Sequence, residues 1–159
     1  MSRYMYQLFD YVYSVIDEWS VFRVKFLDIK AKKPVKADVG CAGYDVFSIE
    51  SVTIEPGARA LVNTGLAIQV SRHFYARVAP RSGMSLKGID IGAGVIDSSY
   101  RGPVKVLVIN NGTEDFVIDE GAKIAQLILE RCSNARVRLY EDLSETERGF
   151  GGFGSTGAR

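Results

Sequence analysis

From Val21 onward, short apolar runs recur and turn formers cut them about every ten residues, which excludes long helices over most of the chain. Val21, Val24 and Phe26 open the series. Thr53–Ile54, Leu61–Val62, Leu66–Val70, Tyr75–Val78, Val104–Ile109, Phe116–Ile118, Ile124–Leu129 and Val137–Tyr140 follow as strand candidates. Pro56-Gly57, Gly83, Gly88, Gly102-Pro103, Asn111-Gly112 and Glu120-Gly121 stand between them. Short strands at this spacing predict an all-β sandwich, jelly roll or barrel. Asn111-Gly112 is the strongest hairpin signal, because a type I′ turn needs positive φ at both central residues. With Thr113 it also matches a glycosylation sequon, but no secretion signal accompanies it, so it reads as a turn.

Two flanking regions break the β pattern. In residues 1–20, Met5, Leu8, Phe9, Val12, Val15, Ile16 and Trp19 fall three and four apart, a helical stripe with Tyr4, Tyr6, Tyr11 and Tyr13 around it. Such a stripe packs on its own body or docks a partner or second subunit, and both readings stand. At the other end, five of the ten residues 148–157 are glycine, against 16 in all 159. This is an arm expected to be flexible until something binds it.

Charge and cysteine usage bound the partners. Twenty Lys+Arg against nineteen Asp+Glu leave a net charge of +1, no footprint for duplex DNA. Cys41, Cys132 and His73 form neither a disulfide framework nor a zinc signature, and read as packed or surface groups. No apolar run approaches the ~18–20 residues of a membrane span. Asp10, Asp17 and Glu18 interrupt the place of a signal-peptide core. A soluble, cytoplasmic chain is therefore expected. The basic stretch Lys30, Lys32, Lys33 and Lys36 reads as a solvated loop, with nuclear targeting the alternative.

Three constellations could carry chemistry. Gly149, Gly151 and Gly154 match G-x-G-x-x-G in form, but that fingerprint must follow a strand and open a helix, and five residues after Gly154 leave no room. No lysine precedes Ser155, which excludes a P-loop. Still, glycine N–H groups, Ser155 and Thr156 hydroxyls, the Arg148 fork and a Phe153 face suit a phosphate chain and a base. A plain polar tail is the other reading. In Pro80-Arg81-Ser82-Gly83 a turn presents Arg81 and Ser82 together. In Gly92-Ala93-Gly94-Val95-Ile96-Asp97-Ser98-Ser99-Tyr100-Arg101-Gly102, small residues let a flat ligand approach and lead to a carboxylate, an aromatic ring and a base. Asp97 there could orient or deprotonate a water, or could bond its own turn.

Five segments, in order, resemble the trimeric dUTPase (deoxyuridine triphosphate nucleotidohydrolase) family: Ala42-Gly43-Tyr44-Asp45, Pro80-Arg81-Ser82-Gly83, Gly94 through Gly102, Lys123-Ile124-Ala125-Gln126-Leu127, and Arg148-Gly149 through Phe153-Gly154-Ser155-Thr156-Gly157. The resemblance covers about residues 21–157. It implies a distorted jelly-roll barrel over 21–147, a Gly-rich arm over 148–159 that closes a neighbouring active site, and a homotrimer with shared sites. The helical extension 1–20 lies outside it.

The implied activity is hydrolysis of dUTP to dUMP and pyrophosphate, which keeps uracil out of DNA and supplies dUMP for thymidylate synthesis. By the resemblance, Asp97 activates the water that attacks the α-phosphorus. Tyr100 packs under the deoxyribose. The backbone around Gly94, Val95 and Ile96 pairs with uracil. Arg81, Ser82, Gly83 and Gln126 hold the phosphates, with Lys105 a further contact. Arg148, Phe153, Gly154, Ser155 and Thr156 supply the lid, Phe153 over the base, and Asp45 is structural beside the site. Mg²⁺ is expected through the triphosphate oxygens, with no direct protein ligand. Lys123 and Val46 stand where Arg and Leu are common. The rivals are a dCTP deaminase of the same fold, disfavoured because Leu107 holds the position of its general-base glutamate, a catalytically silent binding protein, and a structural protein.

Overall fold

The computed structural model describes residues 22–152, and the expected helix over 1–20 lies outside them. The described chain is all-β except for one helical turn. Ten strands follow one another: β1 (Arg23–Phe26), β2 (Gly43–Phe47), β3 (Val52–Ile54), β4 (Arg59–Gln69), β5 (Phe74–Ala79), β6 (Ile89–Gly92), β7 (Val95–Ile96), β8 (Val104–Asn110), β9 (Phe116–Ile118) and β10 (Lys123–Arg131). The helical turn α1 (Ser82–Ser85) sits between β5 and β6. Two four-stranded sheets have the orders β1-β4-β8-β6 and β2-β10-β5-β7, and β3 pairs with β9. All the pairings are antiparallel.

One core joins the three sheets. Period-two alternation turns Val104, Val106 and Val108 of β8 inward, and Val62 and Leu66 of the neighbouring β4 are buried beside them as register partners of Val106 and Val104. Val46, Val78, Ile124 and Leu127 come from the second sheet, and Ile54 and Ile118 from the small one. Each fully buried side chain of this kind contributes about 1.5–3 kcal/mol. The same alternation sends Lys105, Leu107 and Ile109 to the outer face of β8, which is how a core strand also serves the site.

Three sequence expectations are corrected here. Leu61–Val62 and Leu66–Val70 belong largely to one strand, β4, because Gly65 at φ 66° absorbs a bulge instead of ending it. Asn111-Gly112 is not a two-residue hairpin. Neither residue has positive φ, and the strand that follows, β9, pairs with β3. Glycine is needed at 112 for space, since a Cβ there would lie 2.8 Å from the Lys87 carbonyl oxygen. The buried Asn110 fixes this corner: its Nδ2 donates to the carbonyls of Ile54 and Glu114, both at 2.8 Å, and its Oδ1 accepts from the Gly112 N–H at 2.9 Å. Val137–Tyr140 is not a strand: it pairs with no described strand, and Val137 and Leu139 are 92% and 97% exposed.

The basic stretch is bound to the body at several points. Lys30 pairs with Glu120 at 2.8 Å, Lys32 lies over the Phe47 ring and Lys36 over the Tyr44 ring. Among the described residues no helix is long and apolar enough to cross a membrane.

Candidate active site

The link between β6 and β7 is two residues long and changes sheet. Ala93 takes φ 47°, a left-handed conformation that costs a non-glycine residue about 1–2 kcal/mol. Gly94 then passes directly against β5: its carbonyl accepts from the Val78 N–H at 2.7 Å, and a Cβ on it would stand 2.5 Å from the Val78 carbonyl oxygen. Only glycine makes that approach. β7 pairs with β5 through Ala76↔Ile96 and Arg77↔Val95, and so delivers Asp97 at its end.

A turn follows, closed by the Tyr100 N–H donating to the Asp97 carbonyl at 3.1 Å. The Arg101 guanidinium donates to the carbonyls of Ser98 and Tyr100 at 2.6 and 2.7 Å and ties the turn down. The Tyr100 hydroxyl donates to the Pro103 carbonyl at 3.0 Å, and its ring occupies space that a side chain at Gly102 would fill. The result is a cleft of about 420 Å³ lined by Leu61, Val95, Ile96, Asp97, Tyr100, Pro103, Val104 and Lys105. An exposed carboxylate, a phenol ring and an ammonium thus share a largely apolar hollow.

A second cluster forms where β2, β5 and β10 meet. Asp45, mostly buried, pairs with Arg81 Nε at 3.0 Å through Oδ1 and with Lys123 Nζ at 2.7 Å through Oδ2. Its backbone exchanges hydrogen bonds with Val35, which fixes the carboxylate from behind. The Gln126 amide donates to the Pro80 carbonyl at 3.0 Å and lies in space that a Cβ on Gly43 would take. Ser82 and Gly83 are exposed on α1, and nothing comes within 4 Å of a Cβ built on Gly83. Met84 anchors this turn in the core.

The expected site residues therefore fall into two groups in the single chain. Val95, Ile96, Asp97, Tyr100 and Lys105 share the first cleft, with Gly94 shaping its approach. Arg81, Gln126 and Asp45 gather in the second cluster with Ser82 and Gly83 beside them, and none of these lines the first cleft. Arg148 lines neither, its Nε donating to the Gly151 carbonyl at 2.8 Å. Phe153, Gly154, Ser155 and Thr156 lie outside the described residues.

Leu61 and Lys123 were not among the expected site residues. Leu61 reaches the cleft through its pairing with Leu107, a register no local pattern announces. Lys123 opens the Lys123-Ile124-Ala125-Gln126-Leu127 segment, and the β2–β10 pairing brings it onto Asp45. Among the described residues no group of three or more His, Cys, Asp or Glu is placed to hold a metal ion.

Comparison with known proteins shows what the chain is similar to. The dUTPase family model matches residues 30–157. A deoxyuridine 5'-triphosphate nucleotidohydrolase of Yarrowia lipolytica is 49% identical over 138 residues, 85% of this chain and 88% of that protein. One from Cowpox virus is 48% identical over 130 residues, 82% of this chain and 88% of the viral protein. Among solved structures, a Staphylococcus bacteriophage 80alpha dUTPase with dUpNHpp superimposes with a TM-score of 0.83 at 27% identity, covering 87% of this chain and 99% of that one. A dUTPase from phage phi11 of S. aureus, described as coordinating a structural Mg(II) ion, gives a TM-score of 0.75 at 25% identity over 79% of this chain and all of that one.

Proposed function

The chain belongs to the dUTPase family and is a dUTP nucleotidohydrolase; from that premise we propose that Asp97 activates a water for attack on the α-phosphorus of dUTP. The observation that carries this is the single cleft uniting Asp97, Tyr100 and Lys105 behind the Gly94 approach. The water oxygen bonds to the α-phosphorus while the bond to the bridging oxygen of the β-phosphate breaks. Pyrophosphate leaves with that electron pair, and the water's proton passes to the Asp97 carboxylate. Holding the water opposite the leaving group matters as much as basicity.

The remaining roles are those the resemblance to the family implies, and the placement of the described residues is compatible with them. Tyr100 is pinned by Pro103 and offers a flat face to the deoxyribose, leaving no room for a 2′-hydroxyl. The backbone from Gly94 to Ile96 pairs with the uracil edge, where a thymine methyl clashes. Mispaired buried polar groups make such a site selective. Arg81, Ser82, Gly83 and Gln126 hold the phosphates, with Asp45 and Lys123 setting the Arg81 guanidinium. Arg148, Phe153, Gly154, Ser155 and Thr156 close the site as part of an arm over 148–159.

Since the Arg81 group does not line the Asp97 cleft, a complete site needs a second copy, which supports a homotrimer of jelly-roll bodies over 21–147. Exposed Leu61, Val95, Val137 and Leu139 are surface for such contacts. One carboxylate in the cleft suits Mg²⁺ carried on the substrate better than a protein-held ion. When bound, the ion neutralises charge on the triphosphate. The products would supply dUMP and deplete dUTP, keeping uracil out of DNA. A deaminase is not supported: Leu107 packs against Gly92 and carries no proton. Pyrophosphate release measured with dUTP, dTTP, dCTP and UTP tests the reading. Release from dUTP alone is expected. Comparable release from dTTP or UTP would refute the base and sugar assignments, and none from dUTP would return the chain to a silent binder.

A further inference from the structure

The turn between β7 and β8 carries both Asp97 and Tyr100, yet residues 97–103 belong to no strand. β7 is two residues long and meets β5 through two register pairs, so sheet pairing fixes the chain only as far as Ile96. From there the turn is held by bonds to itself. The Tyr100 N–H closes on the Asp97 carbonyl at 3.1 Å, and the Tyr100 hydroxyl on the Pro103 carbonyl at 3.0 Å. Arg101 supplies the other two: Nη1 donates to the Ser98 carbonyl at 2.6 Å and to the Tyr100 carbonyl at 2.7 Å. One nitrogen thereby fixes the peptide planes Ser98-Ser99 and Tyr100-Arg101 relative to each other. Arg101 does this from outside the Asp97 cleft, for it is exposed and lines a separate hollow with Ser98 and Ser99.

We propose that Arg101 is a positioning residue for dUTP hydrolysis: its guanidinium straps the turn so that Asp97 stays aimed at the water it activates and Tyr100 stays against the deoxyribose. This rests on the proposed function, which gives Asp97 and Tyr100 those roles. Charge-assisted bonds are roughly twice as strong as neutral ones, and the strap consists of two of them. A guanidinium also holds its donors in one plane, whereas the donors of an ammonium rotate and stay strongly hydrated. Without the strap, the turn keeps its single backbone bond and the Tyr100–Pro103 bond, and its two working side chains loosen together. A shift of about 1 Å at a reacting group costs roughly a hundredfold in rate. Substitution of an exposed side chain usually changes stability little, so rate and stability should separate at this residue.

The test compares Arg101→Met and Arg101→Lys with wild type, as the full chain in its solution assembly with Mg²⁺. It reads kcat and KM for dUTP and for UTP, and thermal melting. In Arg101→Met, kcat for dUTP should fall about 10–100-fold. Its kcat/KM preference for dUTP over UTP should narrow at least about fivefold, because the ring that excludes the 2′-hydroxyl is freed. Its melting temperature should stay within about 4 °C of wild type. Arg101→Lys keeps the charge without the planar fork and should recover only part of the rate. In an Asp97→Asn background, Arg101→Met should cost less than about threefold more in kcat, since it acts through a carboxylate that is already gone. Wild-type kcat in Arg101→Met or full recovery in Arg101→Lys would overturn the proposal. So would losses that multiply in the double variant. A KM raised alike for both nucleotides, with kcat and preference unchanged, would overturn it too, as the behaviour of a direct phosphate contact. Where Arg101→Met fails to fold, Arg101→Lys carries the same comparison. Wild-type kcat in Asp97→Asn would count against the proposed function instead, and the dUTP-over-UTP preference of Arg101→Met would then decide the strap alone.

Discussion

Gly94→Ala should damage catalysis far more than stability, and the structure sets both magnitudes. The added Cβ would stand 2.5 Å from the Val78 carbonyl oxygen, where ordinary contact begins at 3.4 Å, a shortfall of 0.9 Å. The obstacle is backbone in the middle of a paired strand, so no side chain can rotate away. The β6–β7 link must move instead, and it carries the Gly94 carbonyl off the Val78 N–H. Overpacking of this kind costs about 1–3 kcal/mol. The same movement displaces Asp97, three residues on, by a similar distance. A misplacement of about 1 Å at a reacting group costs roughly a hundredfold. Steady-state kcat/KM for dUTP beside a thermal melt checks both, with Gly83→Ala as the stability control because nothing lies within 4 Å of its Cβ. Wild-type kcat/KM and melting in Gly94→Ala would refute the argument that glycine is there for space.

Other consequences can be measured separately. Asn110→Ala removes the partner of three backbone groups at a fully buried corner and should cost about 3 kcal/mol by chemical denaturation. Asp45→Asn breaks both ion pairs of the second cluster, and should raise KM for dUTP about tenfold with a smaller change in kcat. The Tyr75 hydroxyl, and after it Arg77, hold Glu130 below its ordinary value of 4.5. The unfolded chain therefore takes up that proton first as pH falls. The contribution is present above pH 4.5 and lost as pH drops through the folded value, so acid melts of Glu130→Gln should show a shallower fall of Tm than wild type.

What the sequence shows and hides follows from range. Val104–Ile109 and Phe116–Ile118 are legible because each alternates or runs apolar between clear turn formers, and both are strands within a residue. β2 is hidden inside Gly43-Tyr44-Asp45, where motif residues replace the apolar pattern. β6 and β7 are hidden because the two residues joining them change sheet, a turn carried by Ala93 where positive φ predicts glycine or asparagine. The motifs stand out in the sequence as a set, and the chain groups them as Asp97-Tyr100-Lys105 and Asp45-Arg81-Gln126. That sites are shared between subunits is what the resemblance implies, whereas which motifs fall together in one chain depends on which sheet edge each strand reaches.

The central claim is that Asp97 activates the attacking water and does not merely hold substrate. Asp97→Asn keeps the size and hydrogen-bonding reach of the side chain and removes its basicity. Measured with Mg²⁺, kcat for dUTP should fall about 10²–10⁴-fold while dUpNHpp affinity stays within a few-fold of wild type. A variant that turns over dUTP at the wild-type rate, or that loses rate only in proportion to analogue affinity, would contradict the account.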